Sequence, residues 1–284
     1  MLQALVSSRA FLLPRLIWRA VTRFNDHNGF VFSSHVAMSL MLALFPFVLF
    51  VVALAGELSS GVDTKELTDF LFSAWPPEVA QPLIREINAV LAANHSSLMT
   101  VGGMLALYFA SNGVEAVRAA INAAYRGEDT RPFWRNRLIS LIFVVLGSVA
   151  IVLGLTLGVG VPALQKYLPE FLPDAFTAWF GNGLLQRAVP AVLLVFAVSA
   201  FHVWLPAQRR ALSGIWPGVA LTISLWIIAA SAFSRYLSTF ANYSATYAGL
   251  AGAMSALIFL YLMAAILILG AEFNGVLERR RSRE

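Results

Sequence analysis

The chain has 284 residues, of which 59% are hydrophobic and only 12% charged, with a mean hydropathy of +0.74. A soluble domain carries about twice that charged fraction, so the composition points to an all-α, polytopic membrane protein and away from an ordinary soluble domain. Cysteine is absent, which excludes disulfides, thiolate metal sites and thiol nucleophiles; the net charge of +5 is explained by basic cytoplasmic loops without invoking nucleic acid.

Residues 11–24 read as a basic amphipathic helix on the membrane surface. Arg15, Arg19 and Arg23 recur every four residues among Leu12, Leu13, Leu16, Ile17, Val21 and Phe24. With Arg9 they also break up any apolar core, so this start does not read as a cleavable signal. Asp26-His27-Asn28-Gly29 ends the helix. The first span is expected over 35–58, kinked by Pro46. The long connection 59–96 is acidic, and its pattern predicts two short amphipathic helices, 63–74 and 78–93, split by Pro76-Pro77. They suit packing on the bundle and equally an envelope-protein partner.

Five further spans are expected, over 98–124, 138–161, 186–205, 212–237 and 247–275. The third carries Gly154 and Gly158 in G-x-x-x-G spacing, which leaves a homo-oligomer open, although packing within one chain is the commoner use. Most basic residues fall in the N-terminal arm, in the connections holding Arg126, Arg131, Arg135, Arg137, Arg209 and Arg210, and in the tail. The positive-inside rule then places both termini in the cytoplasm. Trp18, Trp134, Trp204 and Trp216 would flank the inner interface, Trp75 and Trp179 the outer. The chain divides into a cytoplasmic arm (1–34), a six-helix transmembrane bundle (35–277) and a basic tail (278–284).

The chemistry concentrates in Ser111–Asn122, within the second span. Glu115, Arg118 and Asn122 lie on one helical face. A charge in mid-bilayer costs roughly 2.5–3.5 kcal/mol or more, so this face must look into protein or a wet cavity. Under the six-span topology, His35, His202, Glu272 and Asn274 lie at the same inner depth. A polar cluster is expected there, either fixing helix register or lining a solute path; Glu272 is a second partner to expect for Arg118 beside Glu115. Arg235, with Tyr236, Tyr243 and Tyr247, sits at the outer interface, where it either snorkels or contacts lipid headgroups. The four histidines are scattered, with no metal-ligand spacing and no nucleophile motif, so neither a metal, a cofactor nor an enzyme activity is expected.

Several segments together resemble the YihY/BrkB family of bacterial inner-membrane proteins. They are Ser111-Asn112-Gly113-Val114-Glu115, Asn122-Ala123-Ala124-Tyr125, Arg131-Pro132-Phe133-Trp134, Pro217-Gly218 with Trp226, Phe233-Ser234-Arg235-Tyr236, Tyr243 to Leu250, and Gly270-Ala271-Glu272-Phe273-Asn274. Ser39 to Pro46 matches more loosely, ending Leu44-Phe45-Pro46 where the family usually has Ser-Leu-x-Pro. The resemblance implies six spans and an inner-membrane location. Its former label, ribonuclease BN, is regarded as mistaken; some members are linked to virulence and serum resistance, and some relatives to envelope lipid traffic. The functions to expect are transport or flipping of an amphiphilic or anionic solute or envelope lipid, with membrane lipids as partners, or a non-transporting scaffold for envelope assembly.

Overall fold

The computed structural model describes residues 12–58, 64–73, 75–92, 99–157, 184–208, 210–239 and 248–281. Within them the chain is helical, with no strand. In chain order the helices are α1 (Leu12–Asp26), α2 (Gly29–Leu58), α3 (Thr64–Leu71), α4 (Pro77–Ala92), α5 (Met99–Tyr125), α6 (Phe133–Leu155), α7 (Leu184–Trp204), α8 (Leu212–Thr239) and α9 (Ala248–Arg281). Gly158, Trp179, Tyr243 and Tyr247 lie outside the described residues.

The join between α1 and α2 is tighter than the sequence suggests. Asn28 adopts a left-handed φ of 56°, a conformation Asn tolerates, and α2 starts at once on Gly29. The expected start at residue 35 is therefore six residues late. Ser33 and Ser34 do not interrupt the helix, because their hydroxyls donate to the carbonyls of Gly29 and Phe30 one turn back. The helix also continues through Pro46.

Burial runs inside-out relative to a protein in water. On α6 the buried face holds Asn136, Ser140, Val144, Ser148 and Val152. The opposite face exposes Leu138, Ile142, Leu146 and Leu153. Such a surface is stable only against hydrocarbon. Gly29–Val52, Phe133–Leu155, Leu212–Thr239 and Gly252–Arg281 are long and apolar enough to cross a membrane. Helix α5 is of similar length, but Asn112, Glu115, Arg118 and Asn122 dilute its apolar content. The apolar helix of α7, Ala188–Trp204, is shorter.

Helices α2, α5, α8 and α9 form the centre. Small residues on α5, Ala116, Ala120 and Ala124, bring it close to Ile215 and Val219 of α8 and to Ala264, Ile268 and Ala271 of α9. The tightest crossing is between α8 and α9: a Cβ on Gly218 would stand 2.3 Å from the Gly270 carbonyl oxygen, and one on Gly270 2.1 Å from Thr222 Oγ1. Lipid tails are as apolar as leucine, so close backbone approach supplies much of the helix association in a membrane. Gly154 packs against Leu193, Val189 and Phe70 of the same chain. At the other end of the bundle α4 buries Val79, Leu83 and Ile87 against Val48, Phe233 and Phe259.

Candidate functional site

Three polar assemblies gather at one end of the bundle, where α1, α5, α7 and α9 end and α2, α6 and α8 begin. The first is built on α5. Arg118 Nε donates to Glu115 Oε2 at 3.0 Å, and the Ser140 hydroxyl of α6 donates to the same oxygen at 3.0 Å. The other end of the guanidinium meets Asp129, in the loop after α5. Asp129 also accepts from Arg131 Nε at 2.8 Å, from the Arg131 backbone N–H and from Asn136 Nδ2. Arg131 continues to the Leu205 carbonyl at 2.9 Å. The arginine hydrogen bonds hold the Asp129 carboxyl below its ordinary value of 3.8 despite partial burial.

Asn122, one turn further along α5, pins two loops together. Its Nδ2 donates to the Gly127 carbonyl at 2.8 Å, and its Oδ1 accepts the Ala207 N–H at 3.0 Å. Asn122 and Arg131 thus fasten 126–132 to 205–208 across the end of the bundle.

The second assembly centres on Glu272 of α9, which is 0% exposed. It pairs with Arg23 at 3.0 Å and with His27 Nδ1, both from the first helix and its terminal turn. His27 Nε2 accepts from Arg126 Nε at 2.7 Å. The arginine can only donate, so the neutral His27 carries its proton on Nδ1 and gives it to Glu272. A carboxylate this deep needs paired charge, and the arm provides it. Burial lowers the Arg23 guanidinium from its ordinary value, opposed by Glu272.

The third assembly joins Asn274, Tyr125 and His202. Asn274 Oδ1 accepts the Gly218 N–H at 2.7 Å, and its Nδ2 donates to the Ile215 carbonyl at 2.9 Å and to the Tyr125 hydroxyl at 3.2 Å. Tyr125 then donates to His202 Nδ1, 2.9 Å away. That tautomer puts the His202 proton on Nε2, a fully buried donor with no partner among the described residues. The Arg210 guanidinium lies 4.7 Å from the Tyr125 ring centroid and pairs with Glu278.

Of the residues expected to converge, Glu115, Arg118, Asn122, His202, Glu272 and Asn274 do so at this end, in three networks rather than one. Glu272 faces the arm, not Arg118. Ser111 is buried and bonds to the Tyr108 carbonyl of its own helix. Asn112 is exposed and accepts from Arg137 at 2.8 Å. His35 is exposed on α2 and joins none of the networks. Arg235 and Tyr236 are exposed on α8 at the far end. In the sequence Arg23, Arg126 and Arg131 stand out only as basic residues of the arm and a loop, and His27 only as part of a helix break; Asp129 carries one signal, an acidic residue beside Glu128 in an otherwise basic loop. An apolar groove of about 230 Å³ between α2 and α9 is lined by Ser34, Ala37, Met38, Leu257, Ile258 and Tyr261, none of them in the networks. Among the described residues no group of three or more His, Asp or Glu is placed to hold a metal ion.

The family model described as virulence factor BrkB matches residues 20–284. The chain belongs to this family. It is 31% identical over 266 residues to a putative ribonuclease-like protein, YfkH, of Bacillus subtilis, covering 92% of this chain and 94% of that one. It is 23% identical to a UPF0761 membrane protein of Alteromonas mediterranea, covering 89% and 84%, and 22% identical to one of Aggregatibacter aphrophilus, covering 92% and 91%. No solved structure matches. The match starts at residue 20 and so takes in all three polar networks, whose first residue is Arg23.

Proposed function

We propose that this BrkB-family membrane protein moves an amphiphilic or anionic solute, with envelope lipid as the first class to test, across the bacterial inner membrane. The reading has six spans, with α5 and α7 added to the four most apolar helices, and both termini in the cytoplasm. Charge distribution supports that orientation, because Arg15, Arg19, Arg23, Arg126, Arg131, Arg210 and Arg279–Arg281 all belong to the polar end.

The observation that carries the proposal is the pairing of loops 126–132 and 205–208 over the charged face of α5. Glu115 and Arg118 lie directly behind a latch made by Asp129, Arg131 and Asn122. Ion pairs used only for packing are commonly matched in stability by apolar residues. A charged face closed by loops suits a gate that exposes it in a second state. The protein is read as a non-enzyme, and RNA incubated with the purified protein and divalent metal ions is expected to stay intact.

The test is reconstitution into liposomes with fluorescent anionic and zwitterionic phospholipids, with and without a proton gradient. The wild type is expected to move at least one of them, and a folded Glu115→Gln variant to lose that activity. Movement of none, or wild-type rates in the variant, counts against transport. The second reading, a scaffold for envelope assembly, is favoured by the charged groups at this end being paired with one another. It predicts a specific partner crosslinked through α3 and α4 and no lipid movement.

A further inference from the structure

Four tryptophans are exposed among the described residues, and all four stand at the polar end. Trp18 is on α1, Trp134 opens α6, Trp204 closes α7 and Trp216 lies in the second turn of α8. The hydrogen bonds already described hold these helix ends at one level: Arg131 reaches the Leu205 carbonyl, and Asn274 the Ile215 carbonyl. Helix α1 shares that level. It buries Leu16 and Ala20 against Phe273 and Val276, and Arg23 and His27 meet Glu272. It therefore crosses the end of α9 instead of extending a span, and turns Trp18 and Arg19 outward.

The tryptophans belong to helices that follow one another through the bundle, α6 against α7, α7 against α8, and α1 against α9 beside α8. Along α6 the indole of Trp134 gives way within one or two turns to exposed Leu138 and Ile142. An indole suits the boundary between hydrocarbon and headgroup, with an apolar body and one polar N–H. Arginines stand beside two of them and at the end of α9. Arg19 is next to Trp18, Arg135 next to Trp134, and Arg281 ends α9. All three are exposed, and among the described residues no carboxylate pairs with any of them. Indoles spread over four helices and bordered by an exposed apolar surface are met by the lipids beside that surface.

We infer that the surface formed by Trp18, Trp134, Trp204 and Trp216 with Arg19, Arg135 and Arg281 binds anionic phospholipid headgroups of the adjoining leaflet. Guanidinium engages phosphate in a planar, bidentate fashion, and an arginine near an anionic membrane surface strengthens association roughly fivefold. The indoles fix the depth at which the arginines meet the phosphates. The surface is independent of whether the protein transports anything.

Native mass spectrometry of the detergent-solubilised full chain, titrated with phosphatidylglycerol or phosphatidylcholine, tests this. Wild type is expected to retain phosphatidylglycerol in preference to phosphatidylcholine. Each Arg→Gln change at positions 19, 135 and 281 should weaken phosphatidylglycerol retention by up to about fivefold and leave phosphatidylcholine unchanged. Trp18→Ser should weaken both lipids. Arg85→Gln, an exposed arginine on α4 at the other end of the bundle, serves as the control and should change neither. Three results would overturn the assignment: equal retention of the two lipids by wild type, undiminished phosphatidylglycerol in the R19Q/R135Q/R281Q variant, or displacement of the lipid by an equal concentration of inorganic phosphate.

Discussion

Asp129 accepts hydrogen bonds from Arg118, Arg131 and Asn136, so it joins helices α5 and α6 through one carboxylate. Removing it leaves the partly buried Arg131 guanidinium without its anion and Arg118 with Glu115 alone. Asp129→Ala is expected to destabilise the protein by on the order of 3 kcal/mol, read as a lowered melting temperature in detergent. The pH dependence has a definite sign. The folded carboxyl lies below its ordinary 3.8, so its contribution is complete above that value and is lost as pH falls through the lower folded value. Wild type should therefore lose stability below about pH 4 by more than Asp129→Asn does. Asn274 is as constrained, since one amide satisfies Gly218, Ile215 and Tyr125. Asn274→Asp loses both donors and sets a carboxylate against the Ile215 carbonyl; a loss of about 2–3 kcal/mol is expected in the same melting assay. At this scale the sequence was partly legible. Glu115, Arg118 and Asn122 announced themselves by being polar in an apolar run. His27 and Asp129 did not, because polar residues in turns are ordinary, and only the fold shows what they face.

Helix pairing depends on close approach, and glycine substitutions separate crowded from open sites. Gly218→Ala and Gly270→Ala would each drive a Cβ to within 2.3 Å of a backbone or side-chain oxygen, and each should cost about 1–3 kcal/mol. Gly147→Ala meets nothing within 4 Å and should be neutral or stabilising by about 0.5–1 kcal/mol. Melting temperatures of the three variants decide this, and equal effects would contradict the α8–α9 packing. The α1 arm offers a second test. Glu272→Gln removes the charge that Arg23 and His27 meet, so limited proteolysis should cut within Leu12–Asp26 faster than in wild type. Helix positions followed from apolar run lengths. The start of α2 did not, because Ser33, Ser34 and His35 read as a polar boundary whereas the serine hydroxyls are satisfied within the helix.

Among the described residues, an apolar circumference with its buried charge networks gathered at one end describes a membrane protein with that polar face closed by loops. Composition alone indicated the class. It did not indicate that the charges would separate into three networks, since that depends on which helix ends meet. The chain has no cysteine, so introduced pairs can be read without background. A Cβ on Gly127 would lie 3.7 Å from that of Ala207, within the usual range for a disulfide of about 3.5–4.5 Å, with the Asn122 amide shifting slightly to admit it. The decisive measurement is lipid movement in proteoliposomes by the Gly127→Cys/Ala207→Cys protein, oxidised and then reduced. If loops 126–132 and 205–208 are a gate, movement stops on oxidation and returns on reduction. Unchanged movement with the disulfide formed would contradict the gate.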